Sequence, residues 1–228
     1  YLKLGAYDEA ADVAQEARRI SEETGVLGLG ARVLLAQIEL TRNHPTAARD
    51  MLRDLLVAPD PLIGEVEVVS PALTLVRCCV ALGDDAEAKK WAGRASQAMS
   101  RVRLPILYPL PQVAWAITHL AAERYEDALR RLSYPLEYIM LLEDTSPQEI
   151  FALRAAAAHG LGDESTAQGW IAEARAALDN QAAEIGDDRY RASFLEQVSL
   201  HDFIMRASGG APWQPQDALA LPQTAHRS

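Results

Sequence analysis

The chain has 228 residues, 49% of them hydrophobic, with 32 acidic against 22 basic side chains and a formal net charge of −10. With no cluster of lysine and arginine, that balance excludes direct nucleic-acid binding as the leading function, because a phosphate backbone rewards a concentrated positive face. No apolar run approaches the length of a bilayer crossing and no signal peptide precedes the first turn, which reads as a cytoplasmic chain without membrane attachment.

The first recognisable element is a turn, Gly5-Ala6-Tyr7-Asp8-Glu9-Ala10, and it recurs. Equivalent turns run from Asn43 to Ala48, Gly83 to Ala88, Glu123 to Ala128 and Gly162 to Ala167, so their alanines lie 38, 40, 40 and 39 residues apart. A period of this size marks a solenoid of stacked helical hairpins. Gly5, Gly83 and Gly162 can take the left-handed conformation that ends a helix, and Asn43 is the next-best residue for it. Glu123 departs from the pattern and makes the weakest of the five turns.

Four residues beyond the alanines lie Ala14, Leu52, Ala92, Leu132 and Ile171, and seven beyond lie Ala17, Leu55, Ala95, Pro135 and Ala174. Spacings of four and seven share one helix stripe, where small residues let the preceding helix approach closely. The stripe is therefore the expected inner seam of each hairpin.

In chain order, residues 1–24 hold a first hairpin cut short. Gly25-Val26-Leu27-Gly28-Leu29-Gly30 lacks the preceding strand and following acid of a dinucleotide loop and reads as a loose helix entrance to the second hairpin, 26–58. Ser70-Pro71 opens a third, 70–102, whose first helix carries Cys78-Cys79. Adjacent helical side chains point about 100° apart, so these thiols read as small core residues rather than a bridge or metal pair.

A fourth hairpin spans 110–142. Ser146-Pro147-Gln148-Glu149 is a capping box with proline at the first helical position, and it opens the fifth, 146–185. A last helix, 187–207, is expected to cap the open end. Residues 208–228 mix glycine, proline and scattered apolar side chains without helical period, the composition of a flexible tail from which Trp213 alone could dock back.

The expected architecture is all-α: a right-handed α-solenoid of about five hairpins over 1–207, with a C-terminal capping helix. The chain opens inside the repeat and without methionine, so it reads as a piece of a longer protein. HEAT-like repeats share a period near 40, but short glycine turns and the alanine spacing favour tetratricopeptide-like geometry.

Catalytic patterns are missing. There is no phosphate-cradling loop and no nucleophile elbow. His44, His119, His159, His201 and His226 never pair at helical spacing, so no metal and no cofactor are expected. The acidic pairs Asp84-Asp85, Asp163-Glu164 and Asp187-Asp188 stand at helix beginnings, where carboxylates meet unpaired amides.

A binding face, if present, belongs to the concave side, lined by the first helix of each hairpin. Counting six residues back from each turn gives Gln37, Arg77, Ile117 and Ala156 as equivalents. Arg77 interrupts an apolar helix and must find water, a carboxylate or a ligand. Trp115, His119 and Tyr108 belong to the neighbouring hairpin, although a tryptophan at the spacing of Trp115 is more often a core filler. The binding candidates are Gln37, Arg77, Trp115 and His119.

Leu4-Gly5-Ala6-Tyr7-Asp8-Glu9-Ala10 and Arg124-Tyr125-Glu126-Asp127-Ala128 resemble the tetratricopeptide repeat. The period exceeds the usual 34, and the family's tryptophan and proline are missing from each repeat. The longer repeat is similar to those at the C-terminal end of large bacterial signalling proteins. Arg191-Ala192-Ser193-Phe194-Leu195-Glu196-Gln197-Val198 resembles a stretch that closes many ATPase-type transcriptional regulators and some adenylate or guanylate cyclases. The resemblance covers residues 1–207. It implies a non-catalytic interaction or sensor arm that binds a peptide, a protein or its own upstream domains, or else a small-molecule inducer, with any enzymatic part upstream.

Overall fold

The computed structural model describes residues 1–24, 28–57, 64–102, 108–134 and 145–221. These residues are all-helical. A short 3-10 turn, Leu2–Leu4, precedes α1 (Tyr7–Thr24), α2 (Leu29–Thr41), α3 (Pro45–Val57), α4 (Glu65–Ala81), α5 (Asp85–Val102) and α6 (Pro109–Ala121). Then come α7 (Tyr125–Arg131), α8 (Pro147–Gly160), α9 (Glu164–Glu184), α10 (Asp188–Glu196), α11 (Ser199–Ser208) and a 3-10 turn, Pro215–Leu219.

All five repeating turns reverse the chain through one left-handed residue: Gly5 at φ 72°, Asn43 at 65°, Gly83 at 73°, Glu123 at 56° and Gly162 at 79°. In all five that residue's own amide and the next one reach back, as in Asn43 N–H to Leu40 O (3.1 Å) and His44 N–H to Glu39 O (2.9 Å). This satisfies carbonyls that a helix end leaves open. Glu123 adopts the same geometry despite its Cβ, at a local cost of about 1–2 kcal/mol. The repeat imposes the turn where the residue does not favour it.

Carboxylates start the next helices as expected. Asp84 Oδ1 accepts from Glu87 N (3.0 Å), Asp163 Oδ1 from Thr166 N (3.1 Å), and Asp187 Oδ1 from Arg189 N (2.9 Å) and Tyr190 N (3.2 Å). Each caps orphan amides.

Successive helices pair across these turns, and the first helices form a row in which α4 touches α2 and α6, and α6 touches α8. The seam alanines Ala10, Ala48, Ala88, Ala128 and Ala167 are buried, as are Ala14, Leu52, Ala92, Leu132 and Ile171. Ala17 is exposed, whereas its counterparts Leu55, Ala95 and Ala174 are buried. Pro135 lies outside the described residues. Cys78 and Cys79 are buried core residues, their thiols pushed up to about 12 chiefly by desolvation.

Three boundaries differ from the sequence reading. Helix α4 begins at Glu65 and carries Pro71 in its interior. Burial of Val68 and Val69 draws an extra turn onto the core, and that outweighs the one backbone hydrogen bond a proline forfeits. Helix α7 ends at Arg131, short of Pro135, which disfavours helical backbone just before it, and the expected hairpin beyond 134 lies outside the described residues. The expected last helix is two, α10 and α11, broken at Gln197-Val198 where Val198 is extended.

Residues 209–221 pack back on the helices where the composition of 208–228 suggested a loose tail; 222–228 lie outside the described residues. Gly210, at φ 84°, ends α11 with the same paired back-bonds, from Gly210 N to Ala207 O and from Ala211 N to Arg206 O, both 3.1 Å. Trp213, 7% exposed, then stacks on His159 with centroids 4.4 Å apart and meets Phe203 edge-on at 5.4 Å. The 3-10 turn Pro215–Leu219 packs against α6, α8 and α11. An indole buries enough apolar surface to anchor a short segment that has little pattern of its own.

The two ends of the chain also meet. Tyr7 Oη donates to Gln197 O (3.0 Å), Arg189 pairs with Glu9, and Tyr1 and Tyr190 rings sit 5.9 Å apart. Gly5 is obligatory twice over: its φ is positive, and a Cβ there would stand 2.7 Å from the Ser193 carbonyl oxygen. Helix α10 thus closes back on the first turn.

Candidate functional site

Closure of the ends leaves a cavity of about 500 Å³ against the inner ends of α2, α4 and α8. Its walls include Gln37, Leu40 and Thr41 from α2, Thr74 and Arg77 from α4, Gln148 and Glu149 from α8, and Gln181 from α9. Phe194, Leu200 and His201 of α10 and α11 close one side, and Leu219, Ala220 and Leu221 another. That volume falls in the range of small-molecule pockets.

Gln37 and Arg77, the two residues derived from the repeat register, both line it. Gln37 Nε2 donates to Thr74 Oγ1 at 3.3 Å. Arg77 Nη2 donates to Glu149 Oε1 at 2.7 Å, the two side chains being only 17% and 16% exposed. Thr145 Oγ1 donates to the other carboxylate oxygen, Oε2, at 2.9 Å. Ser146 caps α8 by accepting from Glu149 N at 3.3 Å, as its sequence predicts. The Glu149 carboxylate, however, turns to Arg77 and Thr145 instead of completing the capping box.

Gln148 is 3% exposed. Its Nε2 donates to Gln181 Oε1 (2.7 Å) and lies 3.5 Å from His201 Nε2. His201 Nδ1 stands 2.6 Å from the Phe194 carbonyl, which accepts its proton and leaves Nε2 as the acceptor facing Gln148. Burial lowers the His201 pKa, so the imidazole stays neutral at pH 7. Gln148 Oε1 accepts no hydrogen bond from any described residue.

Trp115 and His119 lie elsewhere. They stack with centroids 5.6 Å apart on the side of α6 facing α5 and α7. Trp115 Nε1 donates to Ser96 Oγ (3.0 Å) and Arg131 covers its ring at 5.4 Å. Arg124 donates to His119 Nδ1 at 2.6 Å. Burial first, and the Arg124 charge second, hold the His119 pKa down at about 4. The pair belongs to hairpin packing, not to the cavity wall.

Gln148, Glu149, Gln181 and His201 escaped the register count because they are not six residues before a turn. Gln148 had the same signal as Arg77, a long polar side chain in an otherwise apolar helix. His201 had none, since its partner is a carbonyl exposed by the α10–α11 break. No group of three or more His, Cys, Asp or Glu side chains gathers as a metal site among the described residues, and none of their helices is long and apolar enough to cross a membrane.

No protein-family model, curated protein or solved structure matches the chain.

Proposed function

We propose that the chain is a non-catalytic, cytoplasmic sensor module of a larger signalling or transcriptional regulatory protein. In this reading its hairpins form a right-handed, tetratricopeptide-like solenoid whose inner face holds a ligand. One observation carries the choice of ligand: beside Gln37 and Arg77 the inner face holds a partly open cavity of about 500 Å³, the size of a small-molecule pocket. Closure over a small molecule would favour one arrangement of the chain ends over another, and differential affinity of that kind is what a regulatory ligand needs.

Peptide or protein recognition is the second reading, favoured by a different observation. The segment 211–219 already lies as a short peptide against α6 and α8, with Trp213 as its anchor. Helix rows of this type suit such occupants.

The test is a thermal-shift screen of the intact chain against central metabolites, repeated with Gln37→Ala and Arg77→Ala. A compound that raises the melting temperature of the parent, with the rise lost in both variants, supports the sensor reading. Shifts produced only by peptides, unaltered in those variants, would replace it with the second.

A further inference from the structure

The polar groups of the cavity narrow the chemistry of its occupant, an inference that rests on the sensor reading above. Charge comes first. Arg77 and Glu149 neutralise one another at 2.7 Å, and both carboxylate oxygens are engaged, by Arg77 and Thr145. His201 is held neutral, and Lys3 stands exposed at the rim. Among the described residues the cavity interior therefore offers no spare counter-charge, and a buried ionic group would find none there to compensate it.

Hydrogen-bonding capacity comes next. Gln148 gives its N–H groups to Gln181 and His201, which leaves Oε1 as an acceptor without a donor among the described residues, on a side chain that is almost wholly buried. Its partner Gln181 spends Oε1 on that contact and keeps its own Nε2 as a donor with no described acceptor. One acceptor and one donor thus remain on two hydrogen-bonded glutamines at the α8–α9 wall. Leu40, Phe194, Leu200, Leu219 and Leu221 also line the cavity and supply an apolar surface.

We infer that the cavity binds an uncharged amphipathic small molecule whose carboxamide or lactam end pairs with Gln148 and Gln181, and whose hydrocarbon body lies on the leucine and phenylalanine wall. A carboxamide brings both an N–H for Gln148 Oε1 and a C=O for Gln181 Nε2. An occupant that shuts water out of the cavity leaves this acceptor unpaired unless it brings a donor, so an amide that satisfies it is selected over an isostere that does not.

The probes are hexanamide, hexanoate and hexylamine, titrated by calorimetry and ligand-observed NMR into the intact chain. Hexanamide is expected to bind at least tenfold more tightly than either ion. Gln148→Met should weaken it by about fivefold or more, the loss of a single hydrogen bond. Gln181→Ala, at an exposed side chain that folding does not require, should weaken it similarly, and circular dichroism checks that both variants fold. Equal or tighter binding of hexanoate, lost in Arg77→Ala, would overturn the ligand class while leaving the sensor reading in place. Hexanamide binding that neither glutamine variant changes would also overturn it. Binding of none of the three removes both.

Discussion

Arg77 on α4 reaches across the inner face to the Glu149 carboxylate at the start of α8, 2.7 Å away and 72 residues along the chain. The contact ties the third hairpin to the fifth over the cavity. Arg77→Ala should strand a mostly buried carboxylate and lower stability by about 2 kcal/mol, whereas the Arg77→Ala, Glu149→Gln double variant should recover part of that loss. Urea denaturation of the full cycle measures the coupling. A coupling near zero would mean that the pair is solvated in solution.

Glu123 occupies a left-handed position at φ 56° that its four counterparts fill with glycine or asparagine. Its side chain is exposed. Glu123→Gly should therefore stabilise the chain by about 1 kcal/mol, the relief of Cβ strain exceeding the entropy that glycine gains when unfolded. A higher urea midpoint with an unchanged slope is the expected result.

His119 titrates in the folded chain at about 4, below the 6.5 of an unperturbed imidazole. The unfolded chain thus binds the extra proton first. Its contribution to stability is complete above pH 6.5, falls as the pH drops from 6.5 towards 4, and levels off below that. The full shift is equivalent to about 3 kcal/mol, which solvent screening reduces to a loss on the order of 2 kcal/mol. His119→Gln should flatten this part of a stability–pH profile measured by thermal denaturation between pH 4 and 7.5.

Trp213 anchors the segment after α11 between His159 and Phe203. Trp213→Ala should release that segment without unfolding the hairpins, because Trp213 is its largest core side chain and the rest of it adds to the core only Ala218 and the partly buried Leu219 and Leu221. Limited proteolysis should then cut between 209 and 221 about tenfold faster, while the far-ultraviolet circular dichroism changes little. A global loss of helix signal instead would make the segment integral to the core.

The helical hairpins were legible because each rests on local rules. A left-handed stop, an acidic or serine cap and small residues at positions one, five and eight of a stripe can be read from neighbours along the chain. Gln37 and Arg77 were found by the same register. The helix-interior Pro71 and the short α7 were decided by competition between burial and backbone at single sites, which composition does not weigh. Trp115 and His119 share their helix with no cavity-facing position, since a shift of two residues turns a side chain by more than half a helix turn.

The amino-acid order by itself determined an all-helical chain of repeating hairpins, their turns and caps, the buried cysteines and the choice of Arg77 as a residue in need of a partner. Tertiary structure alone decided which partner, by bringing Glu149 and Thr145 to it, and made the cavity by folding α10 onto the first turn and 211–221 onto α6 and α8. Helix periodicity is a property of residues a few positions apart, whereas the cavity depends on the accumulated angle of successive hairpins, which no short-range pattern records.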